Sequence, residues 1–172
     1  SLVLSRYGAC ALHTDGSVNC ASPIQRLPPG HHYVQIDVAA DFVIGLDDTG
    51  TPVYSVHGIV AGPGVYRQVA TVGGEGAALR DDGALVYMTS LQPAVTAGAF
   101  VALSFNQQRL CGLDGAGRIT CFALPGDSAS PLSAPAGPFI QMASGSKTMC
   151  GLRSTGRTTC WGDAAITVPD GW

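Results

Sequence analysis

The sequence predicts an all-β protein, a five-unit β-propeller with about three antiparallel strands per blade, closed near the two termini. Three observations predict it. One pattern recurs five times, in steps of 34, 33, 34 and 39 residues. The chain has 23 Gly and 11 Pro but one Glu and one Lys, so the residues from which helices draw their exposed faces are missing. Short β-branched or aromatic runs are punctuated by Gly, Pro and Asp, as strands are.

The repeat is anchored by a Leu with a Gly four residues later: Leu12/Gly16, Leu46/Gly50, Leu79/Gly83, Leu113/Gly117 and Leu152/Gly156. Thirteen residues before four of these Leu stands an aromatic, Tyr33, Tyr66, Phe100 or Phe139. Eight residues after them come Cys20, Tyr54, Tyr87, Cys121 and Cys160. The second unit divides into strands near Tyr33–Val38, Phe42–Leu46 and Thr51–Val56. At 172 residues one domain is the natural expectation, with repeats near 1–32, 33–65, 66–99, 100–138 and 139–172. Even spacing of short strands with turn signals is the mark of a propeller.

The turn between second and third strands follows from its residues. Thr14-Asp15-Gly16 reads as a three-residue hairpin loop, a type I turn closed by a residue in the left-handed region. Gly16, Gly50, Gly83, Gly117 and Gly156 meet that requirement because glycine has no Cβ to clash. His13 then faces Ser17, and Cys10 faces Cys20 at a non-hydrogen-bonded pair, where side chains are closest. The same register sets Cys111 opposite Cys121 and Cys150 opposite Cys160, which uses all six cysteines. Ile44/Tyr54 and Ala77/Tyr87 fill the site in the two units without cysteine. A metal site or reduced thiols are the rivals to disulfides, but the ten-residue step fits no standard zinc spacing. Disulfides imply an oxidising compartment.

Ring closure is read from the ends. Trp172 stands where a sixth unit would begin, and Leu2-Val3-Leu4-Ser5 lies inside a first strand. Joining them nearly restores the pattern and removes open sheet edges; a fragment of a longer array, or units completed between chains, is the competing account. The N-terminal segment SLVLSRYGAC has neither the charged start nor the long apolar stretch of a signal peptide, as in a processed chain or an excised domain.

The run Cys150-Gly151-Leu152…Gly156…Cys160-Trp161-Gly162 resembles the regulator-of-chromosome-condensation repeat superfamily. The short units and paired cysteines are closer to the ectodomain repeats of crinkly-type plant receptor kinases and to the secreted β-lactamase-inhibitor propellers. The resemblance covers essentially the whole chain and implies a propeller used as a recognition surface. Five units rather than seven, and Cys121-Phe122 in place of a second Cys-Trp-Gly, depart from the pattern. The nuclear members' exchange-factor role does not carry over.

Several chemistries are disfavoured. A net charge of −3 argues against a nucleic-acid binder, and no apolar run has the length of a membrane span. No nucleophile elbow, phosphate loop or dinucleotide fingerprint occurs, so no catalytic residue and no cofactor are assigned. Asp47-Asp48 and Asp81-Asp82 are too few oxygens for calcium, and His31-His32 reads as a solvated loop; no metal is expected. His13 and His57 find no nucleophile to complete a triad. Neither Asn19 nor Asn106 lies in a glycosylation sequon. The stretch 125–135 reads as a flexible loop, with O-linked sugar as the other reading.

Charged residues make up only 12% of the chain, against roughly 25% in ordinary domains. Such a surface is either covered by a partner, a second copy or glycan, or bland. The connections between first and second strands differ most between units and form the candidate binding face: Arg6, Tyr7, Asp41, Phe42, Glu75, Gln107, Gln108, Arg109, Ser146 and Lys147. The expectation is a non-enzymatic extracellular module, secreted or at the cell surface, acting through protein contacts or self-association. A glycan-binding lectin and a proteinaceous enzyme inhibitor are the alternatives.

Overall fold

The computed structural model describes residues 1–21, 24, 26–40, 42–55, 62–88, 94–106, 109–124, 133–145 and 147–162. Among them every regular element is a strand. The chain forms two compact units, Ser1–Ala97 and Gly98–Trp172. Trp172 and the His57 segment lie outside the described residues, as does the end of the strand expected at Thr51–Val56. So do residues 125–132 of the expected flexible loop.

Ser1–Ala97 holds three antiparallel sheets. The first is β1 (Leu2–Leu4), β2 (Ala9–Leu12) and β3 (Val18–Cys20); the second is β4 (Tyr33–Ala39), β5 (Phe42–Asp47) and β6 (Pro52–Tyr54). The third is β7 (Tyr66–Val72), β8 (Glu75–Arg80) and β9 (Leu85–Met88), with a further strand, β10 (Ala94–Thr96), on its outer edge. Gly98–Trp172 holds β11 (Phe100–Phe105), β12 (Arg109–Asp114) and β13 (Ile119–Ala123), then β14 (Gln141–Ser144), β15 (Thr148–Leu152) and β16 (Thr158–Gly162). These are the five sheets the repeat predicts. The additional β10 forms because Ala94-Val95-Thr96 can pair with the free edge of β9, Val95 opposite Val86.

The sheets of the first unit pack face to face. Strand alternation sorts β5 to both sides. Phe42, Ile44 and Leu46 join Tyr66, Val69, Val86 and Met88 of the third sheet. Val43 joins Cys10, Tyr33, Ile36 and Val38 with the first sheet. All six residues of β5 are therefore buried, and each large apolar side chain contributes about 1.5–3 kcal/mol. The repeated aromatic packs on a missing side chain. A Cβ on Gly45 would lie 2.5 Å from Tyr33 Cδ1, and one on Gly151 would lie 2.5 Å from Phe139 Cδ1. Gly112 receives Phe100 in the same way.

All five second-to-third turns share one geometry. In the first, His13 N–H donates to Ser17 O at 2.9 Å and Gly16 N–H to His13 O at 3.2 Å. The five turn glycines have φ between 76° and 85°, the left-handed value that closes a type I turn with a bulge. Asp15 and Asp82 accept the amide just past the glycine; Asp47 and Asp114 accept amides within and beyond their turns.

Side chains also tie neighbouring sheets together. The Gln35 amide donates to Val69 O at 3.0 Å and accepts from Val69 N–H at 3.1 Å. Asp37 accepts from Thr71 N–H at 2.7 Å, and Ser5 Oγ donates to Ala40 O at 2.8 Å. In the second unit Ser144 Oγ donates to Phe105 O at 2.7 Å.

Candidate functional site

Each sheet has two ends, and the sequence directs attention to the end carrying the first-to-second strand connections. These connections are all tight. Ser5 N–H donates to Gly8 O at 2.8 Å around Arg6-Tyr7. Ala39 pairs Phe42, and Val72 pairs Glu75 around Gly73-Gly74. Asn106 and Arg109 exchange backbone hydrogen bonds of 3.0 and 3.4 Å, and Gly145 N–H donates to Thr148 O at 2.8 Å. Two residues fit between each pair, so this end is a set of hairpin tips rather than long loops.

That tightness corrects two members of the candidate face. Phe42 pairs with Ala39 and is 3% exposed, so it is the first core residue of β5 rather than a loop residue. Arg109 opens β12 opposite Ala123 and is 2% exposed, with its amide bound to Asn106 Oδ1 at 2.9 Å. Arg6, Tyr7, Glu75 and Lys147 are exposed. The Arg6 guanidinium lies 5.9 Å from the Tyr7 ring centre. Asp41, Gln107, Gln108 and Ser146 lie outside the described residues. Burial, and then Glu75 hydrogen bonded to it, push the Tyr87 phenol upward.

The disulfides stand on the second and third strands. Cys10–Cys20, Cys111–Cys121 and Cys150–Cys160 are bonded, with Cα separations of 4.1, 4.0 and 4.0 Å. Each joins directly opposed residues of one hairpin, and the Ala21 N–H to Ala9 O bond marks Cys10:Cys20 as a non-hydrogen-bonded pair. Among the described residues no group of three or more His, Cys, Asp or Glu is placed to hold a metal ion.

The opposite end carries two features that the sequence reading missed. The first is a bulge at the start of the first strand in three of the sheets. Pairing slips between Tyr33 and Gln35, Tyr66 and Gln68, and Phe100 and Ala102. The extra residue at each slip leaves the ladder. Val34 is 53% exposed and Val101 52%, and Ile140, at the matching position after Phe139, is 60% exposed. Arg67 takes the place in the third sheet. The signal was present as an apolar residue after the repeated aromatic, but alternation alone does not reveal a bulge.

The second is a cleft of about 450 Å³ between β3 and the segment leading into β4, lined by Ser17, Asn19, Arg26, Pro28 and His31 among others. Its walls are fixed from behind. Tyr33 Oη donates to Pro28 O at 2.8 Å. Burial, then the charge of Asp47, push that phenol up to about 12, so it stays a neutral donor. His31 Nδ1 lies 3.0 Å from Asp47 Oδ2, whose other oxygen accepts from Thr49 and Thr51. Burial would raise Asp47, but these hydrogen bonds outweigh it and hold the carboxyl below its ordinary value.

No family model matches the chain, and no curated protein matches it by sequence. Solved structures do match in fold. The crinkly ectodomain of the Arabidopsis thaliana receptor kinase ACR4 superposes with a TM-score of 0.73 at 18% identity, over 97% of this chain and 73% of that one. The entire ectodomain of the Physcomitrella patens receptor kinase CR4 gives 0.68 at 19%, over 99% and 52%. Prp20p from Saccharomyces cerevisiae gives 0.69 at 12%, over 94% and 57%. The chain thus spans about half to three quarters of these proteins. Its fold is that of the RCC1-like β-propellers, with five sheets as blades. The likeness to β-lactamase-inhibitor propellers is not among these findings.

Proposed function

We propose that this RCC1-like propeller chain is a non-enzymatic extracellular module that recognises other proteins, or builds an assembly with them, through the end of the blades bearing the bulged residues. The observation that carries the reading is the recurrence of an exposed aliphatic side chain, Val34, Val101 and Ile140, at one position of the repeat. Single exposed aliphatics are ordinary, but here one follows the repeated aromatic in three of the units, at the bulges of β4 and β11 and directly after Phe139, with Arg67 in that place in the third sheet. The chain as a whole is poor in charge, with 12% charged residues, and interface centres are depleted in charge.

Three disulfides support an oxidising compartment, and receptor ectodomains share the fold. Prp20, the yeast RCC1, is also solved bound to Kap60, which supports a docking role.

The test is the native mass of the protein taken from its source without reductant, beside a V34D/V101D/I140D variant. The reading expects an assembly above 17.6 kDa for the natural chain and a variant that folds but runs as the free chain. A natural chain that is monomeric throughout, or a variant that assembles unchanged, contradicts it.

A further inference from the structure

We propose that the cleft between β3 and the segment 26–31 is a binding site for a carboxylate-bearing sugar, with Arg26 taking the carboxylate and Ser17 and Asn19 taking ring hydroxyls. The site is independent of the bulged-residue surface. Its volume, about 450 Å³, falls in the range of roughly 300–1,000 Å³ that small-ligand sites occupy.

Alternation along the strand sets the polar wall. Ser17 and Asn19 are two positions apart, so they share one face of the hairpin, about 6.6 Å from each other at the usual rise. That spacing suits two hydroxyls of one hexose. Val18, Cys20 and Leu27 also line the cleft, partly buried against the core behind it, and give it an apolar floor. The opposite wall is Arg26, Pro28 and Pro29, a cation followed by apolar rings suited to the C–H face of a sugar.

Charge selects the acid. Among the described residues no Asp or Glu lines the cleft, in a chain with twelve acidic residues and a net charge of −3. Asp47 lies behind His31 with its oxygens committed. Asp15 is bound to Ser17 N–H and Oγ at 2.9 and 2.7 Å, which fixes that hydroxyl with its lone pairs toward other donors. Arg26 is exposed and has no hydrogen-bond or ion-pair partner among the described residues. A guanidinium offers a planar fork for a carboxylate.

The walls are preorganised. Cys10–Cys20 and the Asn19–His13 contact of 3.2 Å hold one side. Proline φ restriction at Pro28-Pro29, the Tyr33–Pro28 bond and the His31–Asp47 pair hold the other. Little ordering then remains for a ligand to impose.

The test titrates the full chain with sodium D-glucuronate at constant ionic strength, beside D-glucose, acetate and a disaccharide ending in glucuronate. Saturable one-to-one binding of glucuronate is expected, with glucose and acetate each at least about tenfold weaker, a difference equal to one good ionic hydrogen bond. R26Q should lose about tenfold for glucuronate and leave glucose unchanged, N19A should weaken both, and R6Q, a charge removed from the far end of the same blade, should change neither. Tighter binding of the disaccharide makes a glycan end the source; weaker binding makes it the free sugar acid. Absence of saturation, an unaffected R26Q with an unchanged melting temperature, or acetate binding as well as glucuronate would overturn the proposal.

Discussion

The Tyr33 amide donates a hydrogen bond of 3.0 Å to the carbonyl of Gly16, so the hairpin turn of the first blade holds the first residue of the second. Tyr66 binds Gly50 at 2.9 Å and Phe139 binds Gly117 at 2.8 Å in the same way. The turn glycine thus closes its own hairpin and admits the next blade's backbone.

This double role predicts unequal costs for one substitution. A Cβ at Gly50 would lie 2.5 Å from Val65 Cγ1 and 2.9 Å from Tyr66 O, whereas nothing lies within 4 Å of one at Gly156. Both positions have left-handed φ, 77° and 82°. G156A should cost about 1–2 kcal/mol of conformational strain alone, and G50A distinctly more. Urea unfolding of the two variants measures the difference; equal losses would remove the energetic meaning of the junction.

Ala40 has φ 54°, the one non-glycine residue with positive φ among the described residues. A40G relieves that conformation at the tip between β4 and β5, and should raise stability by roughly 0.5–1 kcal/mol. An unchanged or lower urea midpoint would contradict the strain.

Gln35 acts as a piece of strand, with its amide paired to both backbone groups of Val69. Q35A should cost about 1–3 kcal/mol because both groups are part-buried and lose their partners. Retention of full stability would show that water replaces the amide without loss.

Acid should weaken the turns. The Arg80 side chain and then the Ala84 amide hold Asp82 down to about 2. Ser17 lowers Asp15, and the Arg118 amide and guanidinium lower Asp114. With Asp47, these are depressed in the folded chain. Their stabilisation is present above the unfolded carboxylate value of about 3.9 and is lost as pH falls through the folded values. Asp37 runs the other way, because burial raises it and its penalty is relieved on protonation. The four outnumber it, so the urea midpoint should fall between about pH 4 and pH 2, and less steeply in D47N. A flat midpoint across that range would contradict the reading.

Period, turn chemistry and cysteine register were legible because each follows from local rules. A Gly four residues after Leu demands one turn, and the turn dictates that Cys10 faces Cys20. Phe42 and Arg109 were misplaced because sequence alone does not fix the length of a connection. Once the turns at Ala40 and Asn106 close in two residues, the next residue is already in a buried strand. The bulges at Val34 and Val101 and the Gly45–Tyr33 packing depend on a neighbouring strand, which the local pattern does not name. The cleft arises from the path of Pro28-Pro29-Gly30 over β3, a tertiary property.

The central claim is a repeated hairpin stapled across one register in an oxidising compartment. Non-reducing peptide mapping tests it most directly, on protein from its natural source with thiols trapped at harvest. The account predicts three cross-links, Cys10–Cys20, Cys111–Cys121 and Cys150–Cys160, no alkylated cysteine, and an intact mass about 6 Da below the reduced chain, two hydrogens for each S–S bond. Alkylated thiols or cross-links between different hairpins would contradict it, and with it the proposed extracellular role.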